Sequence, residues 1–473
     1  MLNIKDLLKL PEHKEVFSIL RVAGKLGEKE GLEVYAVGGL VRDLIMGESL
    51  NDIDIMVVGN GIQFAKKLSK EIKINKVVEF EKFGTAIIPN GKFQIEVASA
   101  RVELYNKESR KPKKVINTDL EGDLIRRDFT INAMAIDLRS QNFGKLTDPF
   151  GGINDIESKI IKTPLDPDET FSEDPLRMMR AAYFSSKLGF KIEQKCLNSI
   201  KRQSKRIDIV SWERIRDEFI KILKTKKPSI GLIILQKNRL MKIIFPEIDT
   251  MYGMEQTPEW HHKDIFAHTM QVVDNAAKLS SKMEIRFAAL VHDIAKPNTR
   301  RVDKNRGYTF HGHDAVGERM LNKVSRRMKL SNRLKRYIKK LTKLHLRPIA
   351  LAKNIVTDSA IRRLMVESGE DIDDLMTLCR ADITTKNPNR VKQYLKNFDL
   401  VEEKIKNVIK IDAKKLFQSP VRGDEIMKVC KLKEGRKVGE IKRAIENAIL
   451  DGKIENDYDS SLEYLNQIKK NYI

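Results

Sequence analysis

Asp52 and Asp54 stand two residues apart in NDIDIMVVG, at the start of an apolar run from Ile53 to Val58. Side chains at i and i+2 of a strand point to one side, so this spacing predicts two converging carboxylates. Such a pair is costly unless a cation sits between the groups, and hard oxygen ligands suit Mg²⁺. Just upstream, VYAVGGLVRDLI predicts a buried strand up to Val37, a break at Gly38-Gly39, and a short helix through Leu40, Leu44 and Ile45. The glycines allow backbone N–H groups at the helix start to approach an anion, and Arg42 lies one turn further on. Taken singly, each half reads as a Gly-Gly turn or as acidic residues at a strand edge. Together, within one β-turn-α-β unit, they describe a site for a nucleoside triphosphate.

Other residues extend this chemistry. FQIEVASAR places Glu96 among apolar neighbours on a later strand. There it either supplies the third carboxylate that a two-metal site uses or faces solvent as an edge charge. In GDLIRRDFTINAMAIDL, Arg126 and Arg127 are suited to fork onto phosphate oxygens, with Asp128 and Asn132 placed to serve a ribose. The alternative for this triplet is a surface ion-pair cluster. SEDPLRMMR predicts a helix that opens with Ser172 as N-cap and proline in its first turn. Asp174 and Arg177, at i and i+3, then share a face that Arg180 continues. They form either an intrahelical ion pair or a base reader. A carboxylate accepts from the exocyclic amine of cytosine or adenine, the guanidinium donates to ring acceptors, and the carbonyls of uracil and guanine are refused.

The elements that must position these groups follow from periodicity. Residues 3 to 30 predict helix, Gly61–Ile72 an amphipathic helix, and Lys76–Phe80, Thr85–Ile88, Lys92–Ala98 and Ala133–Leu138 strands. Tyr105 to Lys114, with Lys107, Arg110, Lys111, Lys113 and Lys114, reads as a mobile basic loop. TDPFGGINDI predicts a Gly-Gly turn into a helix, a plausible hinge. A net charge of +23 over 473 residues, with 33% charged, favours a polyanionic partner such as nucleic acid over a membrane surface. Three scattered cysteines exclude a disulfide framework and a thiolate zinc site. No signal-peptide layout or apolar run of transmembrane length is present, and a cytoplasmic location is expected.

GGLVRD with DID, then RRDFTINAMA, DPFGGINDI, EDPLRMMR and SWERIRDEF, resemble in order and context the class II tRNA nucleotidyltransferases and bacterial poly(A) polymerases of the polymerase-β-like superfamily. The terminal GRKVGEIKRAIENAILDGKI is similar to that family's tail. The resemblance implies that Asp52 and Asp54 hold catalytic Mg²⁺ and that Gly38, Gly39 and Arg42 contact the triphosphate. It further implies that Arg126, Arg127 and Asp128 grip phosphates and ribose, that Asp174 and Arg177 template the base, and that Glu213 and Arg214 brace a neck helix. The implied partners are tRNA, CTP and ATP, and the implied reaction is CCA addition. Poly(A) addition, or addition of CC or A alone, remains open within the class.

Seven of the eight histidines fall between His261 and His345. FAALVHDIA places His292-Asp293 on an apolar helix, where burial is costly unless the pair binds something. His268, His292, Asp293 and Asp382 resemble the ligand set of HD-domain phosphohydrolases, and mixed imidazole and carboxylate ligands suit a hydrolytic divalent ion of unspecified identity. His311, His313 and His345 are placed for a second ion or a phosphate, whereas His261 and His262 read as surface or packing residues. The alternative is an HD scaffold kept for its packing; with activity, a metal-dependent phosphohydrolase is the rival function. The expected class is α+β: a mixed-sheet nucleotidyltransferase head (1–160), then an all-α neck (161–250), HD region (251–390) and lysine-rich, RNA-facing tail (391–473).

Overall fold

The computed structural model describes residues 4–91, 93–106, 109–255, 264–303, 307–351, 357–412 and 419–472. His261, His262 and Lys107 lie outside these residues. The chain divides into two compact units, Met1–Pro246 and Glu247–Ile473.

The first unit is built on a seven-stranded mixed sheet. Its strands are β1 (Glu33–Val37), β2 (Asp52–Val58), β3 (Val78–Phe80), β4 (Thr85–Asn90), β5 (Phe93–Ser99), β8 (Ala135–Asp137) and β9 (Leu146–Thr147), in the order β3-β4-β5-β2-β1-β8-β9; β6 (Arg101–Asn106) and β7 (Ser109–Asn117) form a separate ribbon. β2 pairs antiparallel with β1 and parallel with β5, which sets Asp54 directly beside Glu96. Along β2 the residues after the acids are buried, because Ile53, Ile55 and Val57 alternate with Met56 between two covered faces. The helix Lys14–Glu30 presents Val16, Ile19, Leu20, Ala23 and Leu26 to the core at helical spacing and ends at Gly31, whose φ of +67° is the left-handed turn that glycine permits.

Three elements differ from expectation. The basic stretch expected as a mobile loop is the antiparallel ribbon of β6 (Arg101–Asn106) and β7 (Ser109–Asn117). The β-formers of VELY and KVI outweigh the polar character on which the loop reading rested. The helix expected to open at Ser172 is two helices. Pro167–Glu173 is capped by Asp166 and ends at Asp174, and Leu176–Leu188 begins after Pro175. Proline forces its predecessor out of helical geometry, and Asp174 accordingly sits at φ −132°, ψ 97°. Ser172 thus falls in the last turn of the first helix and is no N-cap. Proline also divides the expected N-terminal helix, which is interrupted by a 3₁₀ turn at Pro11–His13.

Leu176–Leu188 packs against Trp212–Leu223 and Pro228–Lys237. The second of these contacts is close at Gly231, where a Cβ would lie 2.7 Å from Ile222 Cγ2 and 3.0 Å from the Ala182 carbonyl.

Among its described residues the second unit is helical apart from one short hairpin, Arg301–Asp303 with Gly307–Thr309. Ile265–Leu279, Met283–Val291, Asn332–Leu344 and Ile372–Ala381 pack together, and His313–Arg327 packs on Asn332–Leu344. Pro388–Asp412 follows, and then Gly423–Cys430, Arg436–Leu450 and Tyr458–Ile468, which close a separate core around Ile426, Ile441, Ile445 and Leu465. No helix among the described residues is long and apolar enough to cross a membrane.

Helix Lys14–Glu30 crosses the sheet at Gly24, where a Cβ would lie 1.8 Å from the Leu138 carbonyl oxygen. Gly24→Ala is expected to cost the first unit about 1–3 kcal/mol through forced backbone displacement. Gly439→Ala, in an open helical position, is expected to be neutral or to stabilise by up to about 1 kcal/mol. Urea unfolding of both variants checks the contrast.

Candidate functional site

In the first unit the predicted residues gather on two clefts that share Asp54 and Glu96. One, of about 350 Å³, is lined by Asp54, Glu96, Arg126, Arg127, Asp128, Asp174, Arg177 and Arg180, together with Thr85, Arg101 and Arg214. The other, of about 240 Å³, is lined by Gly39, Arg42, Asp43, Asp52, Asp54, Glu96 and Lys187. Asp52 is exposed at the strand edge, whereas Asp54 is half-buried. Burial and then the neighbouring Glu96 push the Asp54 carboxyl up to about 6, against the pull of Arg127. Burial likewise raises Glu96, opposed by Arg101 and Arg127. Oxygen donors whose negative charge is this crowded fit a hard divalent cation. Asp52, Asp54 and Glu96 are nonetheless spread along the cleft, and among the described residues they are not one of the sets whose ligand atoms lie within 4.8 Å of one another.

The turn between β1 and the following helix is built for close approach. Gly38 has φ +70°, and a Cβ there would stand 2.9 Å from Arg127 Nη1 and 3.2 Å from Asp54 Oδ2. The Gly39 N–H donates to Asp54. Arg42 is buried, bonded to Asp43 (2.7 Å) and to the Asn132 side-chain oxygen, with its guanidinium 5.2 Å from the Phe184 ring centre.

The residue that organises the arginines is Asp123, which the sequence reading passed over. Its side chain is only 1% exposed. Oδ1 accepts from Arg126 Nη2 at 2.7 Å and Nε at 3.1 Å, and Oδ2 accepts from Arg127 Nη2 at 2.8 Å and Nε at 3.1 Å. Burial alone would raise this carboxyl, but Arg127 and Arg126 hold it below the usual carboxylate range. The signal was present in the sequence, since Asp123 precedes the arginines by three and four residues on one helical turn.

Asp128 is buried and fully engaged. Oδ1 accepts from the Phe129 N–H and Asn132 Nδ2, both at 2.9 Å, and Oδ2 accepts from Arg180 Nε at 2.7 Å. Asn132, expected near a sugar, is instead a buried link from Asp128 to Arg42 and lines neither cleft. Asp174 Oδ1 accepts the Leu176 N–H at 3.1 Å, and its Oδ2 lies 3.6 Å from Arg214 Nη2. Arg177 donates to the Arg126 carbonyl at 2.6 Å and pairs with Glu173 at 3.2 Å. Arg214, expected only to brace a helix, thus faces the cleft. Lys187 reaches the cleft from the far end of the Leu176–Leu188 helix, 3.6 Å from Asp43, a placement no local spacing reveals.

The second unit assembles six ligand groups from five segments. His268, His292 and Asp382 form one set and Asp293, His313 and His345 another. Asp293 bridges them: Oδ2 lies 3.1 Å from His292 Nε2 and 3.5 Å from His268 Nε2, while Oδ1 lies 3.2 Å from His313 Nε2 and 3.7 Å from His345 Nε2. His311 is exposed and belongs to neither set. Helix ends explain the geometry. His292, His345 and Asp382 each follow the last residue of a helix, and His313 opens one.

The Nδ1 atoms of His292, His313 and His345 contact the Ala289, Phe310 and Thr342 carbonyls at 2.8, 2.7 and 2.6 Å. A carbonyl accepts only, so each Nδ1 donates and each Nε2 is the atom turned inward. The Nε2 atoms of His313 and His345 then meet at 3.3 Å. Buried His292 Nε2 and Asp382 Oδ1 have Asp293 Oδ2 and His268 Nε2 at 3.1 and 3.0 Å but make no well-aligned hydrogen bond. Converging nitrogen and oxygen ligand atoms of this kind fit divalent cations of borderline softness.

Residues 34–162 match the family model described as the poly A polymerase head domain, 189–252 the probable RNA and SrmB-binding site of polymerase A, and 265–387 the HD domain. A multifunctional CCA protein of Shewanella frigidimarina is 34% identical over 310 residues, covering 64% of this chain and 70% of that protein. An A-adding tRNA nucleotidyltransferase of Geobacter sulfurreducens is 38% identical over 274 residues, 57% of this chain and 29% of that protein. The solved structure of a CCA-adding enzyme, apo form II, is similar with a TM-score of 0.66 at 25% identity, over 98% of this chain and 99% of that one.

Because the Asp123 carboxyl is held below its unfolded value, its contribution to stability is complete above the unfolded pKa near 3.9 and fades as pH falls through the folded-state value. Asp123→Asn is expected to cost about 3 kcal/mol at pH 7, as for one partner removed from a buried ion pair. The gap from the parent is expected to narrow below about pH 4, a trend that urea titrations at pH 7 and pH 3.5 check.

Proposed function

The chain belongs to the family of the multifunctional CCA proteins, and from that premise we propose that it adds CCA to tRNA 3′ ends from CTP and ATP, releasing pyrophosphate. The observation that carries this reading is the single cleft lined both by Asp54 and Glu96 and by Asp174 and Arg177. Such a cleft would hold a base and the phosphorus to be attacked within one nucleotide's reach. Asp52 and Asp54, with Glu96 beside them, would hold Mg²⁺, which when bound would neutralise phosphate charge and lower the cost of ionising the attacking hydroxyl.

The protein's own part is positioning. Asp123 fixes where Arg126 and Arg127 stand against the phosphates, and Gly38 lets Arg127 come close to Asp54. Asp174 accepts from the exocyclic amine of cytosine or adenine, and Arg177 donates to the ring acceptors beside it. The attack forms a bond from the RNA 3′-oxygen to the α-phosphorus and breaks the bond to pyrophosphate. Because preformed dipoles and charges lower this barrier, Asp54→Asn is expected to reduce nucleotide incorporation by about 10²-fold or more. Incubating tRNA that lacks CCA with CTP, with ATP and with both, then sequencing the products, tests the function. Two C residues from CTP alone and CCA from the mixture are expected; A alone or a long A tract would replace this reading with that of a partial enzyme or a poly(A) polymerase.

We further propose that the HD site binds divalent ions and hydrolyses a phosphoester, with water adding at phosphorus and the alcohol leaving. The observation that favours this is the pair of ligand sets bridged by Asp293. His292→Ala is expected to lower the divalent-metal content of the purified protein, measured by elemental analysis after dialysis, and to abolish metal-dependent hydrolysis of p-nitrophenyl phosphate. The free, buried cysteines and the tRNA substrate fit a cytoplasmic location.

A further inference from the structure

The helix Leu176–Leu188 carries Arg177, Arg180, Phe184 and Lys187 at i, i+3, i+7 and i+10, a single face. Arg177 and Arg180 line the cleft that holds Asp174, whereas Lys187 lines the one that holds Gly39, Arg42 and Asp52. Between them lies Phe184, with the Arg42 and Arg180 guanidinium groups 5.2 and 5.3 Å from its ring centre. At about 1.5 Å per residue, ten residues set Lys187 about 15 Å along the helix from Arg177. That separation is comparable to the length of an extended nucleoside triphosphate, base at one end and last phosphate at the other. The arginines of both clefts have close partners. Asp123 holds Arg126 and Arg127, Asp128 holds Arg180, and Arg42, its side chain only 4% exposed, bonds to Asp43 and Asn132. Lys187 is held loosely. Its side chain is 39% exposed, and its ammonium stands 3.6 Å from Asp43 Oδ2, beyond hydrogen-bond distance, while Arg42 occupies Asp43 Oδ1.

A lysine in the last turn of a helix is favourable for the helix dipole alone, but that role needs no cleft. A compact charge on a flexible stem, unlike a guanidinium fork, can follow a phosphate that must later leave. We infer that Lys187 is the contact for the β- and γ-phosphates, giving up Asp43 for them when a nucleotide binds and staying with the pyrophosphate as it departs. When the bridge to the α-phosphorus breaks, its electron pair passes to the β-phosphate oxygen and the proton of the attacking hydroxyl is lost to solvent. The Lys187 ammonium then stands beside the charge that develops on the leaving group. The inference rests on the nucleotidyl-transfer reading and adds to it a substrate contact from the far end of the helix that begins beside the base-reading pair.

The test compares the full-length protein with Lys187→Met and Lys187→Arg in the addition of a single A to tRNA ending in CC, with Mg²⁺ present. Lys187→Met is expected to lower kcat/KM for ATP roughly ten- to hundredfold, the scale of one lost hydrogen bond to a charged group. Preference for ATP over GTP should stay within about twofold, because the base is read elsewhere. Inhibition against ATP separates a phosphate contact from a structural role. Lys187→Met is expected to weaken inhibition by pyrophosphate about tenfold or more, and that by adenosine 5′-monophosphate by no more than about twofold. Lys187→Arg, which keeps the charge, is expected to recover most of both losses. Matching urea midpoints report that the variants are folded. Equal weakening of the two inhibitors, or none for pyrophosphate, would overturn the inference. No incorporation by the parent protein would refute the transfer reading instead. Pyrophosphate binding measured by calorimetry with Mg²⁺ then decides the contact: loss of a component in Lys187→Met supports it, and identical binding overturns it. Binding at the HD site is common to both proteins and cancels.

Discussion

The parallel pairing of β2 with β5 sets Asp54 and Glu96 side by side at the floor of a cleft, and that crowding of negative charge is the constraint on which the first unit depends. Two carboxylates brought together out of water demand positive charge from somewhere. The fold supplies part of it as guanidinium groups, and the arrangement leaves room for a cation and a polyphosphate to supply the rest. Gly38 is needed because any Cβ at that turn would stand where Arg127 and Asp54 already meet.

Arginines are useful at such a site only if they cannot collapse onto the acids they are meant to complement. Asp123, Asp128 and Glu173 prevent this by holding Arg126 with Arg127, Arg180 and Arg177 respectively. These acids are charge partners, with Asp128 on the cleft wall itself, and they fix guanidinium positions before a nucleotide arrives. Arg42 and Asn132 extend the same network inward, with Arg42 still lining the second cleft. The cost of burying Asp123 and Asp128 is offset by two-point contacts from the guanidinium groups, which a lysine would not provide.

The HD site solves the same electrostatic problem with different donors. Carbonyls of Ala289 and Thr342 in the last turns of two helices, and that of Phe310 ahead of a third, accept from Nδ1, and this turns three imidazoles so that their Nε2 atoms converge on Asp293. Thr384 contacts the fourth at Nδ1 and also helps wall a cavity beside Asp382. Ligand orientation and access to the site are therefore set by the same short segment.

Much of this was legible in the amino-acid order. The spacing of Asp52 and Asp54, the Gly38-Gly39 break and the histidine pattern are local features, because strand and helix periodicity convert separation along the chain into direction in space. The Asp123 clamp was also written at helical spacing, although no apolar pattern drew attention to it. Other features were not local. That Glu96 faces Asp54, that Arg214 and Lys187 reach the cleft, and that Asp293 is shared between two ligand sets depend on strand register and helix packing, which join residues far apart in sequence. Pro175 shows the boundary between the two kinds of information: the sequence alone required Asp174 to leave helical geometry, but only the packed helices determine that its carboxylate then turns toward Arg214.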